Sequence, residues 1–235
     1  MCMGRQPEVR RAHMVRRYTF VFQGYEGTAS GRTQHVLAGI PWWTSDIGGF
    51  VGGDIKDPYF KELLVRWFAW GCFCPVFRMH GERSPWYERE EEFINNVRQL
   101  TSGQDNEVWS FGDDNYEILK KYLFIRERLR PYIRECMRQA SLTGAPVMRP
   151  LFFDFNEDEM AWKTEDEYMF GPDILVAPVM EEKVTERSVY LPAGAAWTDA
   201  NTGEIYRGVQ RVVVPAPPDI IPVFFRDGKK YDIYQ

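Results

Sequence analysis

The chain has 235 residues, of which 44% are hydrophobic and 27% are charged, as in a globular protein with a sizeable core. Its formal net charge of −5 argues against the basic face that nucleic-acid binding needs, and no apolar run reaches the roughly 20 residues of a membrane span. The opening stretch, MCMGRQPEVRRAH, lacks the apolar segment of a secretory signal peptide. We expect a soluble protein, and the sequence leaves its compartment open.

The potential metal ligands are scattered along the chain. None of the three histidines lies near another, and the cysteines have no second pair at zinc-binding spacing. We therefore expect reduced, mostly buried thiols, with no metal site and no cofactor. The four cysteines are Cys2, Cys72, Cys74 and Cys136.

Residues 1–35 carry few structural signals, and only Tyr18–Gln23 has the composition of a strand. The stretch GIPWWTSDIGGFVGG, from Gly39 to Gly53, is more informative. It predicts a buried strand over Ile40–Asp46, with Trp42, Thr44 and Asp46 on one face because side chains alternate along a strand. The pair Gly48–Gly49 then predicts a sharp turn.

A helix and a second strand are predicted next. Asp57 is a good N-cap, Pro58 suits the first helical position, and Gly71 is expected to end the helix in a left-handed conformation. Residues 72–80 predict a strand that carries Arg78 and His80 on the same face. Strand, helix and strand in this order indicate a βαβ unit with a parallel pair.

Residues 82–106 are predicted to be a polar, solvated insertion, followed by a long helix. Asp114 and Glu117 resemble a capping box at its start, Pro131 is expected to kink it, and Gly144 to end it. From residue 145 onward, short apolar runs alternate with turn-forming groups, which predicts a small antiparallel β-sandwich.

Three polar residues stand where strand ends are predicted: Asp46, Arg78 and His80. In a β/α architecture such positions carry function, and this set suits a neutral ligand rich in hydroxyl groups. Aromatic faces for a sugar ring are available from Trp42, Trp43 and Phe50. Structural interpretations stay open: Asp46 as a turn residue, Arg78 paired with Glu82 or Asp46, and His80 as a structural histidine.

The ordered motifs of residues 36–235 resemble glycoside hydrolase family 31, the α-glucosidase and α-xylosidase family. These motifs are WWTSDIGGF, RWFAWG, FCPVFRMHG, RPYI, PVMRPLFFDF, EYMFGPDILVAPV, YLPAGAAWTDANTGE and IPVFFRDG. The resemblance implies an α/β plus all-β fold. Residues 36–144 would be the last two β/α units of a (β/α)8 barrel, residues 145–235 the β-sandwich that follows it, and residues 1–35 an unmatched leader.

The resemblance also implies roles for individual residues. Asp46 matches the aspartate of the family's DIGGF motif at the sugar subsite, and Phe50 matches its aromatic residue. Arg78 and His80 match the R-x-H pair that binds hydroxyl groups of the sugar. The ligand would be an α-linked oligosaccharide or glycoside, either a glucoside or a xyloside.

The two catalytic carboxylates of the family have no match here. Retaining hydrolysis needs a nucleophile and a general acid/base, and no aspartate precedes Asp46 in the sequence. We therefore expect no catalytic residue in this chain and no activity from it alone, since about six barrel strands are also missing. The alternatives are a non-catalytic sugar-binding piece, a subunit completed by a chain that supplies those strands, or a truncated gene product.

Overall fold

The structure, a computed structural model, describes residues 39–84, 93–94, 97–98 and 103–234. The possible strand at residues 18–23 and the cysteine at position 2 lie outside the described residues. The first half contains β1 (Val51–Asp54), α1 (Pro58–Cys72), β2 (Glu82–Ser84), β3 (Phe93–Ile94), β4 (Val97–Arg98), a 3-10 helix (Val108–Phe111) and α2 (Asp113–Thr143). The second half contains β5 (Met148–Arg149), α3 (Leu151–Asp154), α4 (Glu159–Lys163), β6 (Tyr168–Phe170), β7 (Ile174–Val176), β8 (Glu186–Leu191), β9 (Ala196–Asp199), β10 (Ile205–Arg207), β11 (Gln210–Pro215) and β12 (Val223–Arg226).

The βαβ unit is present, but its strands lie later in the chain than the sequence predicts. Strands β1 and β2 pair in parallel on either side of α1. The predicted strand over residues 40–46 has no strand assignment, and β1 begins only after the Gly48–Gly49 turn. The predicted strand over residues 72–80 is also wrong, because Cys72 still belongs to α1 and the following residues are irregular.

Helix α1 begins as predicted and ends later. The Asp57 side chain accepts a hydrogen bond from the Tyr59 backbone N–H, and Pro58 occupies the first turn. Gly71 is not the left-handed stop, because it lies inside the helix and Phe73 is the C-cap. Its lack of a side chain serves packing instead: a Cβ there would lie 2.7 Å from Ile47 Cδ1.

Helix α2 is one continuous element through Pro131 and ends at Gly144, whose φ of 77° is left-handed as predicted. The capping-box prediction is wrong, since Gly112 is the N-cap and no side chain caps the first turn. One face of α2 packs on α1 and the β-sheet through Leu119, Tyr122, Ile125, Leu129, Ile133, Cys136 and Ala140.

The second half is antiparallel, which confirms that part of the prediction. Six strands form one sheet in the order β10-β9-β12-β7-β6-β5, and β8 pairs with β11 in a second sheet. Buried side chains of both sheets, such as Leu175, Trp197 and Val189, share one apolar cluster. The motif PVMRPLFFDF is not purely strand, however, because β5 gives way to the short helix α3.

A second apolar cluster joins the two halves of the chain. It combines the buried faces of α1 and α2 with side chains of the six-stranded sheet, including Phe170 and Val223. Arg66 on α1 reinforces this joint, because its guanidinium donates to the carbonyls of Val184 (2.6 Å) and Ala216 (3.3 Å). The segments that carry the predicted site residues lie along α1 and are held by this common core.

Candidate functional site

The structure brings Asp46 and Arg78 together although 32 positions separate them in the chain. A guanidinium N–H of Arg78 donates to Asp46 Oδ1. The Arg78 side chain is 52% exposed and that of Asp46 is 23% exposed, so the pair faces solvent. Of the two structural partners considered for Arg78, Asp46 is therefore the one observed, and the pair stays accessible to a ligand.

Phe50 and His80 form the second part of the site. Their ring centroids lie 5.4 Å apart at an interplanar angle of 34°, and the Phe50 side chain is 60% exposed. Along residues 76–80, Val76, Arg78 and His80 are exposed, whereas Phe77 and Met79 pack against the core. Arg78 and His80 thus share a face, as predicted, even though this segment forms no strand.

The two tryptophans are placed differently. Trp43 is half-buried with its ring 5.5 Å from that of Trp70, and its carbonyl accepts a hydrogen bond of 3.2 Å from the Val76 N–H. Trp42 is 56% exposed. Trp42 therefore offers the more accessible ring, while a sugar contact by Trp43 stays a prediction.

Between Asp46 and β1 the chain folds into a compact turn, residues 46–53, called the glycine turn below. Gly49 N–H donates to Asp46 O at 2.8 Å, which closes the turn predicted at Gly48–Gly49. Gly48 and Gly49 have φ angles of 81° and 84°, which favour glycine because they lie in the left-handed region. The turn connects the carboxylate of Asp46 to the ring of Phe50 over four residues.

Arg83 lies in the segment predicted to be a solvated insertion, and its place beside the site was not predicted from the sequence. Arg83 is fully buried, at 0% exposure, because its guanidinium enters the glycine turn. It donates to four backbone carbonyls there, those of Ile47 (3.0 Å), Gly48 (3.2 Å), Gly49 (3.0 Å) and Gly52 (2.9 Å). Only the cluster of glycines, whose carbonyls need a donor once buried, signals such a partner in the sequence.

Burial lowers the pKa of Arg83 to about 10, and the nearby Asp46 carboxylate acts in the opposite direction. The guanidinium therefore remains a cation at neutral pH. The accessible part of the site then consists of the Arg78 cation, the Asp46 carboxylate, an exposed histidine and an exposed phenyl ring, with the Arg83 cation buried behind them. Such a set donates to and accepts from hydroxyl groups and covers an apolar ring face.

Two family models match the chain in succession. The model described as the glycosyl hydrolases family 31 TIM-barrel domain matches residues 21–135, and that of the family 31 C-terminal domain matches residues 144–229. The chain belongs to glycoside hydrolase family 31.

Family 31 relatives match most of this chain with a small part of their own length. The α-xylosidase of Saccharolobus solfataricus is 36% identical over 192 residues, which cover 82% of this chain and 24% of the relative. Alpha-xylosidase A of Aspergillus niger is 38% identical over 207 residues, covering 79% of this chain and 27% of the relative. The chain thus spans about a quarter of these curated relatives.

A solved family 31 structure also superimposes on the chain. The α-xylosidase from a soil metagenome, complexed with xylose, is 56% identical with a TM-score of 0.81. The match covers 84% of this chain and 29% of that one.

Three further observations concern the part of this family 31 chain that the structure describes. No three His, Cys, Asp or Glu side chains there are grouped as metal ligands. None of the helices within those residues has the length and apolar character needed to cross a bilayer. Cys72, Cys74 and Cys136 are buried and form no disulfide, and burial raises the pKa of Cys136 to about 11.

Proposed function

We propose that this chain forms the part of a retaining α-glycosidase that holds the sugar ring being cleaved. The observation that carries the proposal is the solvent-facing Asp46–Arg78 pair beside the exposed Phe50–His80 pair. These side chains come from two segments more than 25 residues apart, so their convergence depends on the fold.

Each residue has a chemical role in this proposal. The Asp46 carboxylate accepts hydrogen bonds from sugar hydroxyl groups, and the Arg78 guanidinium and the His80 imidazole donate them. The Phe50 ring packs against the apolar C–H edge of the sugar. Since Arg78 already neutralises Asp46, an uncharged ligand enters without leaving an unpaired charge behind.

We assign α-xylosides rather than α-glucosides as the favoured substrate. Support comes from the two curated relatives named α-xylosidases and from the structure at 56% identity that is complexed with xylose. The test is a comparison of p-nitrophenyl α-xyloside and p-nitrophenyl α-glucoside as substrates of the assembled enzyme. A higher kcat/KM on the glucoside would contradict the assignment.

The catalytic carboxylates belong outside these 235 residues in this proposal. Retention requires a nucleophile and a general acid/base about 5–5.5 Å apart across the scissile bond. The first 45 residues contain no aspartate, and their only glutamates are Glu8 and Glu26. The β1-α1-β2 unit would occupy the end of a (β/α)8 barrel whose earlier strands supply both acids.

Activity assays test whether this chain holds the sugar while the catalytic acids come from the preceding barrel strands. The purified chain should release no nitrophenol from the xyloside, and activity should appear when a polypeptide carrying the preceding barrel strands is added. Asp46→Ala should abolish the reconstituted activity. Glu117→Ala, on the solvent-exposed surface of α2, should leave it unchanged. Turnover by the isolated chain that survives Asp46→Ala would overturn the proposal.

A second candidate is a non-catalytic, subunit-completing role. It is favoured by the apolar side chains that the two site segments expose: Ile40 (46%), Trp42 (56%), Phe50 (60%) and Val76 (36%). A surface of this kind fits a partner chain that continues the barrel. Size-exclusion chromatography with and without the preceding strands tests it, since a 1:1 complex without turnover would favour this role over catalysis.

A further inference from the structure

The guanidinium of Arg83 is enclosed by backbone oxygens of the glycine turn. Nη1 donates to the carbonyls of Gly48, Gly49 and Gly52, and Nη2 donates to that of Ile47, at distances of 2.9–3.2 Å. The remaining direction is taken by Nε, which donates to Asn106 Oδ1 at 2.7 Å. One buried side chain therefore satisfies four carbonyls of a segment that precedes it by more than thirty residues.

This arrangement requires a guanidinium. Arginine has five N–H donors in a rigid, planar fork, whereas lysine has one ammonium that cannot reach oxygens on several sides at once. Without these donors the buried carbonyls of Ile47, Gly48 and Gly52 would lose their guanidinium partner, which is costly. The absence of a side chain at Gly48 also leaves space for the guanidinium, since a Cβ there would lie 3.1 Å from Arg83 Nη2.

Arg83 is itself fixed from the other side. The side-chain oxygen of Asn106 accepts from Arg83 Nε, and its side-chain N–H donates to the carbonyl of Gly81 at 3.2 Å. The backbone N–H of Gln104 donates to the carbonyl of Arg83 at 2.7 Å. The guanidinium carbon lies 5.4 Å from the centroid of the Phe60 ring on α1. These contacts therefore hold the Arg83 side chain in one position beside the turn.

The carbonyls that Arg83 holds are adjacent to the site residues. Ile47 follows Asp46 directly, and Gly49, whose carbonyl binds Arg83, donates its N–H to the carbonyl of Asp46. On the other side, the carbonyl of Phe50 accepts a hydrogen bond of 3.0 Å from the N–H of Glu82, the neighbour of Arg83. Both ends of the turn are therefore tied to the same short strand, β2.

We infer that Arg83 is a positioning residue, whose buried guanidinium sets the places of Asp46 and Phe50. That these residues bind a sugar rests on the function proposed above, but the control of the glycine turn by Arg83 does not. Two experimental arms keep the two claims apart, one measuring the turn and one measuring the ligand.

The first arm measures amide hydrogen exchange of peptides that cover residues 46–54 in the 235-residue chain. Arg83→Lys should raise exchange in this segment at least about tenfold, because buried carbonyls lose their donors and the turn opens locally. Arg66→Lys is the matched control. Arg66 is also a buried arginine that donates to backbone carbonyls, but those belong to Val184 and Ala216.

The control variant should leave the exchange of residues 46–54 at the wild-type level. If Arg83→Lys leaves this exchange unchanged, the inference is wrong. If Arg83→Lys fails to fold, Asn106→Ala takes its place, since it removes the anchor of Nε and should raise the same local exchange. Unchanged exchange in Asn106→Ala would also contradict the inference.

The second arm measures binding of xylose by NMR titration of the same variants. Arg83→Lys should weaken xylose binding at least about tenfold in the wild-type background and by a smaller factor in Asp46→Ala, because only the part of its effect that acts through Phe50 remains there. Equal weakening in both backgrounds would refute positioning of Asp46. If the wild type binds no xylose, the proposed function fails, and the exchange arm still decides the role of Arg83.

Discussion

The ion pair between Asp46 and Arg78 allows its binding role to be separated from a structural one. Consider the variants Asp46→Ala, Arg78→Ala and the double variant. The side chains are 23% and 52% exposed, so their mutual attraction is screened by water. An exposed pair of this kind contributes about 0.2–1 kcal/mol to the free energy of unfolding, whereas breaking a buried pair costs about 3–5 kcal/mol. We expect a coupling energy below about 1 kcal/mol.

The expected effect on sugar binding is much larger. A hydrogen bond to a charged group contributes about 1.5–3 kcal/mol where water is excluded, which corresponds to about a 10–150-fold change in affinity. Asp46→Ala and Arg78→Ala should each weaken xylose binding within this range. The same substitutions should leave the unfolding free energy nearly unchanged.

The measurements are urea unfolding of all four proteins and calorimetric titration with xylose. The control is Glu117→Ala, because Glu117 pairs with Lys120 at 3.1 Å on the surface of α2 with side chains 64% and 42% exposed. It should show a similarly small stability change and unaltered binding. A coupling energy above about 2 kcal/mol, or xylose affinity that survives Asp46→Ala, would refute the reasoning, because the pair would then be structural.

Three further substitutions test the physical basis of the fold. Burial raises the pKa of Glu167 to about 8, so its contribution to stability is full below pH 4.5 and is lost as pH rises through 8. Wild type should therefore lose about 2–4 kcal/mol more than Glu167→Gln between pH 5 and pH 8 in urea unfolding, and parallel profiles would contradict this. Arg66→Met should cost about 3–5 kcal/mol in the same assay, because it removes the donor to two carbonyls and the ion pair with Glu62; a loss below 1 kcal/mol would contradict this. Gly48→Ala should destabilise the chain by about 1–3 kcal/mol more than Gly194→Ala, since both have φ near 80° but only Gly48 is crowded, by Leu64 Cδ1 at 2.8 Å; equal losses would contradict this.

Features decided by local chemistry could be predicted from the sequence. Asp57 caps α1 through its own side chain, and Gly144 ends α2 because it adopts a left-handed conformation. Both effects act within a few residues, so neither depends on the rest of the fold. For Arg78 the sequence left two structural partners open, Asp46 and Glu82. The structure shows the pair with Asp46.

The predicted strands at residues 40–46 and 72–80 were wrong for a physical reason. Apolar alternation indicates that side chains are buried on one side, and it does not by itself require a hydrogen-bonded neighbour strand. Trp43 packs against Trp70, and Phe77 lies edge-on to Phe68 with centroids 4.7 Å apart. Helix α1 supplies both partners, so the alternating pattern records packing on a helix.

The buried state of Arg83 could not be read from its neighbours. The following run, SPWYEREEE, is strongly polar, and a charge in such a context is normally solvated. Arg83 is buried because its guanidinium binds backbone carbonyls of residues 47–52. The position of a backbone carbonyl cannot be read from the pattern of apolar and polar side chains. The clue lies in the glycines, because several of them adopt a left-handed φ in this turn and their buried carbonyls need donors.

Arginine side chains hold both site segments in place. The segment before Arg78 is fixed by a second arginine, Arg126 on α2, which donates to the carbonyls of Cys72 (2.8 Å), Cys74 (2.5 Å) and Pro75 (2.8 Å). Burial also lowers the pKa of Arg126, as it does for Arg83. In a sheet, ladder hydrogen bonds would fix such backbone, but here a guanidinium from a distant element does so for each segment. The spacing between the Asp46 and Arg78 segments therefore depends on two cations, the buried Arg83 and the half-buried Arg126, and substitutions of either should disturb the site more than substitutions of its exposed neighbours.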